Sequence, residues 1–267
     1  MPAPNFVGAW RYRHFILSSI RTEFRARFAR SKLGGLWMII HPLAQAAIFA
    51  LVLAEVMGTR LPVAAAGGSF AYAMYLLSGM LAWSLFSEIV TRCLTVFIDN
   101  GNLLKKMLFP RINLPLIIAG SALINNLLLL LAILLVFALV GHFPGPRLAW
   151  LPLLVLVTLL LALGVGLLLG VFNVFVRDVG QVVPIALQLG FWFTPIVYTP
   201  DIVPKDLRAL VELNPMTPIV QGFQNIMVFD RPPQLAALAW ILALTLLLLS
   251  AALVLFRRAS AEMVDVL

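Results

Sequence analysis

The chain has 267 residues, 62% of them hydrophobic and only 11% charged, with a formal net charge of +8 and one cysteine, Cys93. That balance excludes an ordinary soluble domain, in which about a quarter of residues are charged, and a lone cysteine excludes an intrachain disulfide. The basic residues flank apolar stretches, where anionic lipid headgroups attract each by roughly 1 kcal/mol, so the positive charge reads as membrane topology and not as nucleic-acid binding.

Residues 9–32 predict a helix lying along the cytoplasmic surface, imperfectly amphipathic, with Trp10, Phe15, Leu17, Ile20, Phe24 and Phe28 interleaved among arginines. Gly34 and Gly35 then permit a sharp change of direction. Six stretches, 36–57, 70–91, 114–140, 150–175, 179–199 and 235–256, approach or exceed the ~20 apolar residues that cross a bilayer. Polar and basic residues precede the first of them and no cleavage site follows a short apolar run, so this span is expected to stay in the mature protein. Pro42, just after His41, predicts a bend in it that neighbouring donors accommodate.

Charge alternates between the spans. Arg11, Arg13, Arg21, Arg25, Arg27, Arg30 and Lys32 precede the first; Arg92, Lys105, Lys106 and Arg111 follow the second; Arg177, Arg257 and Arg258 continue the series. The other side holds Arg60, Arg147, Lys205, Arg208 and Arg231, the last three outnumbered by Asp201, Asp206, Glu212 and Asp230. The positive-inside rule places both termini in the cytoplasm.

The cytoplasmic loop within 92–113 has room for one short amphipathic helix, capped by Asp99 or Asn100 and ended by Pro110. Gly166 and Gly170 in the fourth span have the spacing that lets two membrane helices approach closely. Gly164 and Gly166 lack the preceding strand and third glycine of a dinucleotide loop. Residues 200–234 carry prolines at 200, 204, 215, 218, 232 and 233 among segments too short to span. They fit short re-entrant helices dipping into the outer leaflet, or a plain extracytoplasmic loop. The fold class is therefore all-α integral membrane: an interface segment over 1–35 and one six-helix transmembrane domain over 36–267, with no internal repeat.

No zinc-type His-Glu pair, nucleophile elbow or phosphate-binding loop occurs in the sequence. His14, His41 and His142 fall in three different places, which argues against a metal site. Glu88 and Arg92, four apart, can pair along one helix face. Glu55 and Glu88 are ionisable groups near span ends where water reaches them. The amides Gln45, Asn125, Asn126, Asn173 and Gln188 suit interhelical hydrogen bonds or a polar path. Trp37, Tyr72, Tyr75, Trp83, Phe191, Trp192, Phe193 and Tyr198 sit near span ends. They suit an interfacial aromatic belt or a sugar polymer, whose apolar C–H faces pack on aromatic rings.

Taken in order, these motifs resemble the permease subunit of bacterial polysaccharide-exporting ABC transporters. Arg21, Glu23, Arg25, Arg27, Lys32, Leu33, Gly34, Leu36, Trp37 and Pro42 resemble its entry region. Asn100, Leu103, the run 105–109 and Pro110 resemble its coupling loop, and Phe172, Asn173, Phe175, Arg177, Asp178, Gln181 and Pro184 its junction of spans four and five. Phe191, Trp192, Thr194, Pro195, Ile196 and Tyr198, then Asn214 and Pro215, complete a likeness covering nearly the whole chain.

The resemblance implies a homodimer in the bacterial inner membrane with two cytoplasmic ATP-binding subunits on separate chains. ATP and Mg would bind those partners, and this chain itself would carry no cofactor and no catalytic residue. The cargo implied is a lipid-linked glycan of capsule, O-antigen or teichoic-acid type, with a periplasmic export adaptor in capsule systems. Spans one and five would line the channel, with Trp37, Tyr72, Tyr75, Phe191, Trp192 and Tyr198 as sugar contacts. Arg21, Arg25 and Arg27 would meet a lipid or pyrophosphate headgroup, which suits arginine's bidentate geometry. Asn102, Lys105, Lys106, Phe109 and Arg111 would dock on the ATPase, and 200–234 would form an extracytoplasmic gate. The alternatives are an ABC permease for a drug or lipid, and a membrane-embedded polyprenyl-phosphate enzyme; for the latter, Glu55, Glu88, Asp99 and Asp178 are scattered in sequence.

Overall fold

The computed structural model describes residues 13–28, 34–37, 40–41, 43–45, 47–48, 70–101, 113–259 and 262–263. Among them every regular element is helical: α1 (Arg13–Phe28), α2 (Ala71–Asp99), α3 (Asn113–Leu139), α4 (Leu151–Phe175), α5 (Val179–Phe193), α6 (Lys205–Leu213), α7 (Met216–Met227) and α8 (Leu235–Ala259), with short 3-10 turns. Four of these, α2, α3, α8 and α4 with the 3-10 turn Pro146–Trp150 that leads into it, are long and apolar enough to cross a membrane. The chain is a multi-pass membrane protein. Of the first predicted span, the described residues from Leu36 to Ile48 are helical, while Pro42 and Glu55 lie outside the described residues. Gly34 has φ +49°, a left-handed turn that a side chain would disfavour, at the expected change of direction.

Two predicted boundaries move. The second span, expected to end at residue 91, continues as α2 to Asp99. Its last two turns carry Cys93, Leu94, Val96 and Phe97, all buried, and Phe97 stacks on Phe256 of α8 with ring centroids 5.4 Å apart, so tertiary packing extends the helix past Arg92. The fifth span, expected over 179–199, is helical only to Phe193, 15 residues. Thr194 precedes Pro195 and takes extended angles, φ −98° and ψ 134°, because the proline ring clashes with a helical residue before it. At ~1.5 Å per residue α5 is roughly 22 Å long, short of the ~30 Å hydrocarbon core.

α2 forms the centre and packs on α3, α4 and α7, while α8 covers the far side of α4. The α2–α4 crossing is close because glycines make it so. A Cβ added at Gly166 would lie 2.8 Å from Cys93 Cβ, and one at Gly170 would run into the Cys93 carbonyl oxygen. Small residues replace the hydrophobic drive that is absent between helices in lipid, letting backbones approach and gain dispersion contacts. α7 is sunk into the bundle through Ile219, Val220, Phe223 and Ile226. Its exit is tied to the α3–α4 connection, where His142 Nε2 donates to the Met227 carbonyl at 2.9 Å and Arg147 donates to the Asp230 carbonyl. α1 rests on α3 with Ile20 buried, and a Cβ at Gly120 would collide with Ile20 Cδ1.

Candidate functional site

A cavity of about 720 Å³ opens between the first helical segment, α2, α3 and α5. α2 contributes Trp83, Ser84, Ser87, Glu88 and Thr91 to it, α3 Asn125 and Asn126, and α5 Pro184, Gln188, Phe191 and Trp192; His41 and Gln45 face it from the first segment. Residues 84, 87, 88 and 91 recur at helical spacing, so α2 presents a polar stripe towards the cavity. The rings form a connected set. Trp83 meets Phe191 edge to face at 6.0 Å and Phe191 meets Trp192 at 5.6 Å and 89°. α2 and α3 add hydrogen-bonding groups, with Asn125 Nδ2 donating to Glu88 Oε1 at 2.7 Å and Asn126 Nδ2 to the Leu81 carbonyl at 2.9 Å. Flat apolar faces together with amides and a carboxylate suit an elongated ligand that is apolar on its ring faces and hydroxylated at its edges.

The stretch 194–199 that follows α5 is non-helical and largely buried, so its carbonyls need donors from the protein. Tyr72 donates to the Val197 carbonyl at 2.8 Å. The Tyr75 hydroxyl lies 3.3 Å from the Pro195 carbonyl and 3.1 Å from that of Tyr198, and Gln224 Nε2 donates to Pro195 at 3.1 Å. Gly79 admits this arrangement, because a Cβ there would lie 2.9 Å from Gln224 Nε2 and 3.2 Å from Ile196. Asn214 links the same turn to α7: its Nδ2 donates to Thr194 Oγ1 at 2.8 Å, and its Oδ1 accepts from the Met216 amide at 2.9 Å. Tyr75→Phe is therefore expected to leave carbonyls under-satisfied and to destabilise the protein by roughly 1–3 kcal/mol, read as a lowered Tm in detergent; an unchanged Tm would assign those carbonyls to other donors.

Of the residues expected to contact substrate, Phe191 and Trp192 line the cavity. Trp37 is half exposed and precedes His41 and Gln45 at four-residue spacing. Tyr72 and Tyr75 are buried, with their hydroxyls turned to the 194–199 carbonyls. The Tyr198 hydroxyl folds back onto the Trp192 carbonyl at 3.1 Å. Arg21 is exposed on α1, and the side chains of Arg25 and Arg27 lie outside the described residues. So do Asn102, Lys105, Lys106, Phe109 and Arg111. The expected Glu88–Arg92 pair is present at 3.4 Å. Arg92 also pairs with Glu23 of α1, and Ser121 Oγ of α3 donates to Glu23 Oε2 at 3.0 Å. Trp83, noted with the aromatic residues near span ends but not among the expected channel contacts, belongs to the ring set, and sequence reasoning missed Glu23 and Ser121 as parts of this network. The polar stripe on α2 is the signal that points to the cavity.

The sequence profile of the ABC-2 type transporter family matches residues 15–228, from within α1 to just past the end of α7. The O-antigen export system permease protein RfbA of Myxococcus xanthus is 29% identical over 258 residues, 96% of each chain. RfbA of Klebsiella pneumoniae is 27% identical over 208 residues, 76% of each chain. The polysialic acid transport protein KpsM of Escherichia coli is 25% identical over 239 residues, 88% of this chain and 89% of its own. With the family profile covering most of its length and four helices fit to cross a bilayer, the chain belongs to the ABC-2 type transporter family as a membrane component.

Proposed function

We propose that this chain is the permease of an ATP-driven exporter that moves a lipid-linked polysaccharide, of O-antigen or capsular type, out across the bacterial inner membrane. The observation that carries this reading is the cavity beside α5, lined by the rings of Trp83, Phe191 and Trp192 together with Glu88, Asn125 and Asn126. Aromatic faces hold sugars weakly enough to let a polymer slide, and amides and a carboxylate exchange hydrogen bonds with its hydroxyls. Two relatives that span most of the chain are named for O-antigen export, and a third for polysialic acid transport.

In this reading two copies face each other across α5, whose Val182, Ile185, Leu189, Trp192 and Phe193 are exposed in the single protomer. The channel runs between them, lined by the first span and α5, with Trp37, Phe191 and Trp192 as sugar contacts and Tyr72, Tyr75 and Tyr198 shaping its upper wall. Residues 36–57, α2, α3, α4, α5 and α8 make six spans. α6 and α7 are short re-entrant helices within the gate segment 200–234, and both termini are cytoplasmic, as the distribution of arginine and lysine favours. Residues 1–35 form the interface segment and 36–267 the permease domain. Two ATP-binding subunits dock on the segment that follows α2, through Asn102, Lys105, Lys106, Phe109 and Arg111, and hydrolysis takes place on those chains. Arg21, Arg25 and Arg27 receive an anionic lipid or pyrophosphate headgroup.

Purification of the tagged protein from native membranes tests the assignment. An ATP-binding chain in equal amount, together with a lipid-linked glycan, is the expected result. A permease that comes without an ATPase would overturn it, and a drug or lipid in place of the glycan would redirect it.

A further inference from the structure

The network around Arg92 separates two cavities. Glu88 and Thr91 face the aromatic one. Arg92, Thr95 and Asp99, on the neighbouring face of α2, border a second of about 660 Å³, closed on its other side by Thr22 and Glu23 of α1. Arg92 therefore stands in the partition between the surface helix and the proposed glycan path, with only 19% of its side chain exposed. Its Nη2 pairs with Glu23 Oε1 on α1, and its Nη1 lies 3.4 Å from Glu88 Oε1. α3 braces both carboxylates, Ser121 donating to Glu23 Oε2 at 3.0 Å and Asn125 to Glu88 Oε1 at 2.7 Å.

We propose that Arg92 is a coupling residue: one guanidinium shared between Glu23 on the surface helix and Glu88 on the cavity wall, so that displacement of α1 changes what Glu88 offers to the cargo. This rests on the exporter reading above. While α1 is seated, Arg92 divides its charge between two carboxylates, so Glu88 takes only part of it. When α1 moves away, the guanidinium turns wholly to Glu88 and weakens that carboxylate as an acceptor for sugar hydroxyls. The two positions of α1 thus differ in affinity for the same ligand, which is the condition for motion on the cytoplasmic side to drive release. A planar fork is required, since an ammonium carries its charge at one point and cannot serve two separated carboxylates in the same way. The sequence interval conceals the link: Glu23 and Arg92 are 69 residues apart.

The test uses the permease assembled with its ATP-binding subunits in proteoliposomes, comparing wild type with Arg92→Gln, Glu23→Gln and Arg92→Lys. Three quantities are read: the amount of assembled complex, its ATPase rate, and glycan exported per ATP hydrolysed. Arg92→Gln and Glu23→Gln are expected to assemble and to retain the basal ATPase rate while export per ATP falls about tenfold, and Arg92→Lys to recover part of that loss. Export that falls only in proportion to assembled complex would make Arg92 a purely structural tie. Wild-type export per ATP in both glutamine variants would also overturn the coupling role. If Arg92→Gln does not assemble, Glu23→Gln, which leaves the Arg92–Glu88 pair in place, decides the matter. Absence of glycan export by the wild-type complex would instead refute the exporter reading itself.

Discussion

Gly170→Leu is expected to abolish recovery of folded protein, measured as the monodisperse fraction after detergent extraction. A Cβ at this position would run into the backbone carbonyl oxygen of Cys93, and a backbone atom in the middle of a packed helix has no rotamer by which to yield. Overpacking a core typically costs 1–3 kcal/mol, and the rigid obstacle here puts the leucine variant at about 3 kcal/mol or more. Gly166 provides the internal comparison. Its added Cβ would lie 2.8 Å from Cys93 Cβ, with Val90 Cα next at 3.3 Å, so its principal obstacle is a side chain. Cys93→Gly should therefore recover part of the loss caused by Gly166→Ala, less the ~1 kcal/mol that a helical glycine costs. It should recover nothing for Gly170→Ala, because the carbonyl remains. Rescue of both variants, or of neither, would show that the α2–α4 crossing is not set by these contacts.

The parts of this fold that are legible in the sequence are those written in one dimension. A long, predominantly apolar run identifies α2, α3, α4 and α8, two glycines four apart identify the close crossing, and a glycine pair identifies the turn where Gly34 takes positive φ. The misplaced boundaries depend on partners distant in the chain. Arg92 reads as the end of a span because it is charged, yet Glu23 meets that charge from α1 and the helix continues to Asp99. At the other boundary Pro195 carries a local stop signal, but the apolar residues on both sides of it outweigh that signal in any average over the segment. The candidate site divides in the same way. Phe191 and Trp192 are found because aromatic residues near a span end are conspicuous in the sequence. Tyr72 and Tyr75 have the same composition signal and another task, holding carbonyls 120 to 125 residues further along. A tyrosine that stacks and a tyrosine that donates look identical until the acceptor is placed beside it.

Trp192→Ala is expected to reduce glycan export several-fold while leaving assembly and stability close to wild type. Trp192 is 51% exposed, so truncating it opens little cavity inside the protomer, and substitutions at exposed positions usually shift stability by less than about 0.5 kcal/mol. What it removes is a flat face at the mouth of the aromatic set, set perpendicular to Phe191. A contact of this kind is worth roughly 0.5–1.5 kcal/mol, which corresponds to between about twofold and tenfold in occupancy. Trp192→Phe retains a face and should retain most of the export. Phe191→Ala is the harsher change, because that ring also supports Trp83 at 6.0 Å, and it should lower stability as well as export. The contrast with the hydrogen-bonded tyrosines separates two kinds of aromatic residue. Tyr75→Phe keeps the ring and loses the donor, so its effect falls on stability; Trp192→Ala removes a half-exposed ring that meets Phe191 edge to face, so its effect falls chiefly on transport. Wild-type export from Trp192→Ala would remove α5 from the path and shift the search for the channel to another face of the protomer.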